Sequence, residues 1–350
     1  MITIPTDFIN NRAAWTRHEL KADQGWIFTL GSRELEELEE NLNIMKTRRI
    51  PFYKLQRSDL VLPSLKNKIM DIVEEVESGR GVVLLRGLDL EKYDAESIRL
   101  LYWFLALYLG KPISQNSKGE LIGSVRDRGN DYNSENVRGY TTSSRLAPHC
   151  DSADVVTLLC LQTSKSGGES VIVSSTSLFN KFLQKYPKHL PYLFQGYHFD
   201  LRGEGAKGDR DEVTNNRVPI YSFYKGILSC RYNEKTIIDG QIKINKPLSG
   251  IKLEAIKLLG ELAMERDIQF DMKFERGDIQ ILNNHSILHS REGFEDWPEP
   301  EKKRNLLRIW LNLDEHIARP LASDFSDRLN TGPRGGVAIR KEYSKGRVHA

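Results

Sequence analysis

Cysteine is scarce in this sequence: three residues, Cys150, Cys160 and Cys230, among 350. An odd number with no C-x-x-C spacing argues against a disulfide framework or a zinc ribbon and favours structural thiols in a reducing compartment. No stretch reaches the run of about 18 apolar residues that a membrane-spanning helix needs. The start, Met1 to Asn11, lacks the basic-then-apolar order of a secretion signal, so a cytoplasmic protein without membrane contact is expected. Neither sign of charge dominates either. With 51 basic against 48 acidic residues and a net charge of +3, nucleic acid and anionic lipid are not expected partners. No internal repeat or low-complexity tract is found.

What the chain does have is two kinds of pattern in succession. Arg33 to Met45 carries Leu35, Leu38, Leu42 and Ile44 among acids at roughly helical spacing, and Leu65 to Glu77 repeats this with Ile69, Ile72 and Val73. Gly79 and Gly81 end the second helix, and Val82 to Leu85 is then a short buried strand closed by Gly87. Asp94 caps a further helix through Leu107, ended by Gly110 and Pro112. Beyond it, short apolar runs alternate with turn signals: Val155 to Leu161, Ser170 to Val173, Ile220 to Phe223, Ile227 to Cys230, Ile268 to Phe274, Asp278 to Leu282 and Leu306 to Leu313. One helix, Leu253 to Glu265, interrupts them. Many short strands so spaced predict a sandwich or barrel. The expectation is one domain over residues 1–350, mainly β with α additions, in which residues 1–80 are a helical extension. Residues 114–148 and 200–219 are long, polar and Gly-rich, as lids and binding loops are.

Metal-ligating residues are the other feature. Two imidazoles and one carboxylate on one face of an octahedral iron(II) leave three positions open, enough for a bidentate cosubstrate and dioxygen. His149 and Asp151 are separated by one residue, so on an extended segment they share a face. Such a pair is weak by itself, because about one is expected by chance in this composition. The chain contains two, and ligand chemistry does not separate His149-Cys150-Asp151 from His198-Phe199-Asp200.

Context separates them. Leu146-Ala147-Pro148-His149-Cys150-Asp151, the turn Gly167-Gly168-Glu169-Ser170, the stretch from Gly277-Asp278 through Asn283-Asn284-His285-Ser286-Ile287-Leu288-His289, and Arg304-Asn305-Leu306-Leu307-Arg308 follow one another in order. Over roughly Gly81 to Leu313 the sequence resembles the taurine dioxygenase and clavaminate synthase superfamily of iron(II) and 2-oxoglutarate oxygenases. The resemblance implies a double-stranded β-helix of jelly-roll type flanked by helices. It makes His149, Asp151 and His289 the metal ligands, with His285, four positions before the last, as the competitor on the same strand face. If not a ligand, His285 is placed to hydrogen-bond beside the metal. His198 becomes an ordinary histidine.

By the same resemblance Arg304 binds the distal carboxylate of 2-oxoglutarate through a charged fork. Ser170 stands where relatives often carry a threonine hydroxyl on that group, and Arg308 matches the arginine that meets an anionic group of the substrate. The plain alternative for either arginine is a surface ion pair with acids near Glu299 and Glu301. The implied reaction consumes dioxygen, splits 2-oxoglutarate into succinate and carbon dioxide, and oxidises a carbon of a small molecule. Related halogenases have a small residue at the position of Asp151, so a carboxylate there favours hydroxylation or desaturation. Ser114-Gln115-Asn116, Tyr140-Thr141-Thr142 and Arg231-Tyr232 are candidates to line the pocket. Gln115 leads because related amino-acid oxygenases place an amide near there, which suggests an amino-acid derivative or biosynthetic intermediate as substrate. The rival readings are a cupin-type metal-dependent hydrolase or isomerase, which has no use for Arg304, and a non-catalytic small-molecule-binding protein.

Overall fold

A computed structural model describes residues 3–131 and 137–344. Eleven strands build two sheets, each numbered here by its place in the chain. The larger sheet holds β1 (Ile27–Thr29), β2 (Val82–Arg86), β3 (Lys111–Ile113), β4 (Gly123–Val125), β6 (Val155–Gln162), β9 (Ile279–Asn283) and β11 (Asn305–Asn312). Its order is β1-β2-β9-β6-β11-β3, with β4 also on β11. Every pair is antiparallel except β1 on β2. The smaller sheet, β5 (Leu146–His149), β7 (Ser170–Ser174), β8 (Gln269–Met272) and β10 (Ile287–Arg291), is antiparallel throughout in the order β8-β7-β10-β5.

The period of two along each strand sorts side chains into three layers. On β11, Leu307, Ile309 and Leu311 turn outward against the helices Ser32–Arg48, Pro63–Glu77 and Ala95–Leu109, together with Val83, Leu85, Leu159 and Ile281 from neighbouring strands. Leu306 and Trp310 turn inward, where Val82, Val156 and Cys160 meet Ile172, Met272 and Ile287 of the smaller sheet. The smaller sheet's own outer face, Val173 and Leu288, is covered by the helices Ser175–Lys185 and Gly250–Ala263. This is the double-stranded β-helix arrangement, with two facing sheets and no closed barrel.

Residues 1–80 are less purely helical than expected, since Ile27–Thr29 joins the main sheet as its parallel edge. Three residues are too few to declare a strand by alternation. The helices Ser175–Lys185 and Glu234–Lys243 also escape the pattern. The first is hidden by Ser174-Ser175-Thr176-Ser177, a loop-like run in which the Ser174 hydroxyl in fact accepts from the Ser177 N–H at 2.9 Å and starts the helix. Residues 114–148 contain β4 and β5 rather than a single loop, and 132–136 lie outside the described residues.

The turn into β9 is packed tightly, its Gly277 N–H donating to the Cys160 carbonyl at 2.9 Å. Gly277 has φ +90°, and a Cβ there would collide with the Leu88 carbonyl oxygen. Gly277→Ala should therefore destabilise the protein by more than about 1 kcal/mol. Chemical denaturation checks this, and an unchanged midpoint would contradict it.

Candidate metal centre and cosubstrate cleft

Two crossovers between the sheets meet at one end of the molecule. Cys150 to Asp154 carries the chain from β5 to β6, and Asn284 to Ser286 carries it from β9 to β10. Backbone and side chain tie them together: the Asp151 N–H donates to Asn284 Oδ1 at 3.1 Å, and the Asn284 N–H donates to the Asp154 carbonyl at 2.9 Å. The strands they bracket lie in register. His149 is directly opposite His289, and the two rings stand 4.5 Å apart, centroid to centroid.

Asp151 completes the group. One ligand atom from each of His149, Asp151 and His289 lies within 4.8 Å of the other two. His149 Nε2 is 4.0 Å from Asp151 Oδ1, and His289 Nε2 is 3.8 Å from Oδ2. These separations are too long for hydrogen bonds. They suit three donors around one cation, and His289 Nδ1 is buried with no protein partner. His149 Nδ1 contacts the Ala147 carbonyl at 2.9 Å, which fixes the ring and aims Nε2 at the centre.

The charge states suit a metal as well. Burial pushes His289 down to about 3 and lowers His149 too, so both imidazoles are neutral donors near neutral pH. Burial opposes the Asp151 charge, but Arg308 foremost, with the two histidines, holds the carboxyl well below its usual range. Oδ2 accepts from Trp310 Nε1 at 2.8 Å and from Arg308 Nη1 at 3.4 Å. Trp310 follows from period two: Arg304, Leu306, Arg308 and Trp310 alternate onto one face, but nothing in composition marks the indole as a partner for the aspartate.

The competitors fall elsewhere. His285 faces Asp154, Nε2 to Oδ1 at 2.9 Å, inside a buried cluster with Arg328 and Arg334. It touches the crossovers without entering the group of three. His198 Nδ1 contacts the Thr214 carbonyl at 2.7 Å, and Asp200 pairs with Lys243 at 2.8 Å, so that motif is tied up within the protein.

A cleft of about 1140 Å³, counting its open mouth, lies over the three ligands and is lined also by Ser170, Arg304, Arg308, Arg138, Tyr140 and Arg202. Arg304 is 4 % exposed, makes no ion pair among the described residues and leaves Nη1 without a partner. Its backbone N–H donates to Asp296 Oδ1 at 2.7 Å, while the guanidinium stacks 5.2 Å over Phe294. Burial pushes it down to about 10. A surface pair with Glu299 or Glu301 is not what the structure shows. Ser170 Oγ accepts from the Gln280 amide nitrogen at 2.9 Å and donates to the Gln280 amide oxygen at 3.2 Å. Gln115 stays behind the cleft: its oxygen accepts from Arg308 Nε at 2.7 Å, and its nitrogen donates to the carbonyls of Leu121 and Arg308 at 2.9 and 2.8 Å. It therefore positions Arg308 rather than reaching a substrate. Thr141 and Thr142 bond the carbonyls of Arg138 and Gly139, and only Tyr140 of that trio lines the cleft.

Residues 46–310 match the family model described as taurine catabolism dioxygenase TauD, TfdA family. The chain belongs to the TauD/TfdA family. Among curated proteins, this family member is 28 % identical to FR-33289 synthase of Streptomyces rubellomurinus over 318 residues, covering 90 % of this chain and 93 % of the relative. It is 23 % identical to the taurine hydroxylase-like protein SAT17 of Stachybotrys chartarum, covering 92 % and 84 %. Among solved structures, an asparagine oxygenase in complex with Fe(II), 2S,3S-3-hydroxyasparagine and succinate superposes with a TM-score of 0.64 at 15 % identity, covering 83 % of this chain and 94 % of that one. The non-haem iron oxygenase OrfP in complex with Fe and alpha-ketoglutaric acid gives 0.58 at 13 %, covering 87 % and 98 %. The TauD-family chain is an oxidoreductase that works with iron(II), 2-oxoglutarate and dioxygen. No helix among the described residues is long and apolar enough to cross a membrane.

Two outcomes check the centre. Trp310→Phe, which deletes the indole N–H from the aspartate, should weaken iron(II) affinity about 10- to 100-fold, the range for losing an outer partner of a metal ligand. His289→Ala should abolish iron binding while His198→Ala keeps it. Equilibrium iron titration reads both, and loss of iron only in the His198 variant would reverse the assignment.

Proposed function

We propose that this protein hydroxylates a small molecule, with His149, Asp151 and His289 holding iron(II), Arg304 and Ser170 receiving the distal carboxylate of 2-oxoglutarate, and Arg308 facing the substrate. The observation that carries the reading is the pairing of the convergent triad with a buried guanidinium that makes no ion pair among the described residues. Leaving a charge so placed costs several kcal/mol unless something pairs with it, and a dicarboxylate cosubstrate does. A hydrolase or isomerase on this fold would gain nothing from that cost.

The oxidising chemistry comes from the metal and the cosubstrate when they are bound; the chain's residues bind, orient and shield. His149 is oriented by its bond to Ala147, and Asp151 is kept ionised and aimed by Trp310 and Arg308. The Gln280 amide holds Ser170 Oγ at the cleft wall, its nitrogen donating at 2.9 Å and its oxygen accepting the hydroxyl proton at 3.2 Å, so an incoming carboxylate would take that proton over from Gln280. Val156, Leu158, Leu306 and Phe274 form the apolar lining that keeps water from the reacting carbon. A carboxylate rather than a small residue at position 151 supports hydroxylation, or desaturation, over halogenation. The amide expected beside an amino-acid substrate is engaged with Arg308, so the substrate class is better read from the charges in the cleft. Three buried free cysteines support a reducing, cytoplasmic location.

Iron(II) and 2-oxoglutarate added anaerobically should produce a metal-to-ligand charge-transfer band, and an iron-loaded sample without one would remove the 2-oxoglutarate reading. Truncating one side of a buried charged contact costs about 2–5 kcal/mol. Arg304→Ala should therefore raise the 2-oxoglutarate needed to half-develop the band by about 30-fold or more. An unchanged requirement would move the contact to Arg308.

A further inference from the structure

A second space of about 650 Å³, counting its opening, adjoins the cleft on the side of Asp151 and shares Arg138, Asp151, Arg202, Asn233 and Thr236 with it. Its other wall carries Arg231, the residue that follows the strand Ile227–Cys230. A hydrogen bond from the Cys150 N–H to the Tyr232 carbonyl at 2.8 Å holds this segment against the metal-binding crossover.

Arg231 is 5 % exposed. Its Nη2 donates to Ser152 Oγ at 3.2 Å, its Nη1 has no partner, and no ion pair to it exists among the described residues. The guanidinium lies 4.4 Å from the centre of the Phe199 ring. Such a stack contributes about 2 kcal/mol when desolvated, against several kcal/mol for burying the charge unpaired. Packing alone does not offset that cost. Burial pushes Arg231 down to about 9, and the charges of Arg328 and Arg202 add to the shift.

Arg202, only part-buried at the cleft, also lacks a counter-ion. Its guanidinium makes no hydrogen bond or ion pair among the described residues, and burial, then Arg138, brings it down to about 10. The acids nearby are already engaged: Asp200 with Lys243 at 2.8 Å, Glu204 with the Ser117 N–H at 2.6 Å and Arg138 at 3.7 Å, and Asp327, whose charge also acts on Arg231, with the Thr331 and Gly332 N–H groups at 3.1 Å. Asp151 belongs to the metal. Two guanidiniums thus face a shared space with no ion pair to either among the described residues.

We propose that Arg202 and Arg231 form an oxyanion subsite for the substrate's head group, so that the substrate is a small anionic molecule bound by its charged end on the far side of Asp151 from Arg304. This rests on the metal-centre reading above and adds the substrate class to it. An anion held there leaves the rest of the molecule lying across the three ligands, with its reacting carbon in the apolar part of the cleft. Arg304 remains for the cosubstrate, so the two anions do not compete.

The test titrates methyl phosphate and acetate, by calorimetry at fixed ionic strength, into full-length protein loaded anaerobically with iron(II) and 2-oxoglutarate. At least one should bind with a stoichiometry of one. Methyl phosphate binding the tighter assigns a divalent head group, acetate the tighter a carboxylate. Arg231→Gln and Arg202→Gln should each weaken binding about tenfold or more, as for a lost hydrogen bond to a charged group. Arg231→Gln should also fold at least as stably as the parent, because it relieves an unpaired buried charge. Saturable binding of neither anion, or binding unchanged in both variants, overturns the proposal. The charge-transfer band keeps the two readings apart: a normal band with no anion binding counts against the subsite alone, whereas an absent band counts against the metal-centre reading.

Discussion

The structure depends on one registration: β5 against β10, with His149 opposite His289. Because side chains alternate along a strand, a slip of one residue would send either imidazole to the outer face, among the apolar side chains that meet the helices. The register is fixed from both ends. Ile287 and Leu288 bury opposite faces of β10, and the two crossovers are stapled through Asn284 just beyond the histidines. Asp151 sits on one of those crossovers, so its position follows from the same staple. The fold assembles the candidate centre, with the smaller sheet supplying two imidazoles and a short bridge supplying the carboxylate.

Around that centre the cleft accumulates positive charge. Arg304, Arg308, Arg138 and Arg202 line it, with Arg231 in the adjoining space, while the carboxylate of Asp151 faces His149 and His289 at 4.0 and 3.8 Å. Arg308 has a protein function as well as a cleft-facing one, since Gln115 grips one side of it and Asp151 the other, with the rings of Tyr140 and Trp310 at 4.7 and 5.1 Å. Arg304 and Arg231 have no comparable grip. The simplest physical account of two buried guanidiniums without anions is that anions arrive with the reaction, one for each.

Much of this is legible in the sequence because the strands are regular. Val155–Gln162, Ile279–Asn283 and Asn305–Asn312 are read nearly to their ends from their apolar runs, and the capping aspartate of the helix Ala95–Leu109 accepts from the Ser97 N–H at 2.7 Å as anticipated. The strands at the centre are harder. Leu146–His149 holds a proline, and Ile287–Arg291 follows a polar turn, so neither shows clean alternation. The order of four motifs, more than any periodicity, brings His149, Asp151, His289 and Arg304 together in the reading. Partners brought in by the tertiary fold leave no local trace. Trp310 reaches across to Asp151 from another strand, and Gln115 is turned from the cleft by the donor and acceptors around it. Arg202 and Arg231 show their lack of counter-ions only once the packing is known.

A crystal structure obtained after anaerobic soaking with iron(II) and 2-oxoglutarate tests the central claim most directly. The account expects one iron bonded to His149, Asp151 and His289 together, with the distal carboxylate of 2-oxoglutarate on Arg304. Iron bound to a different set of side chains, or a 2-oxoglutarate carboxylate seated on Arg231 or Arg308 with Arg304 still unpaired, would contradict it.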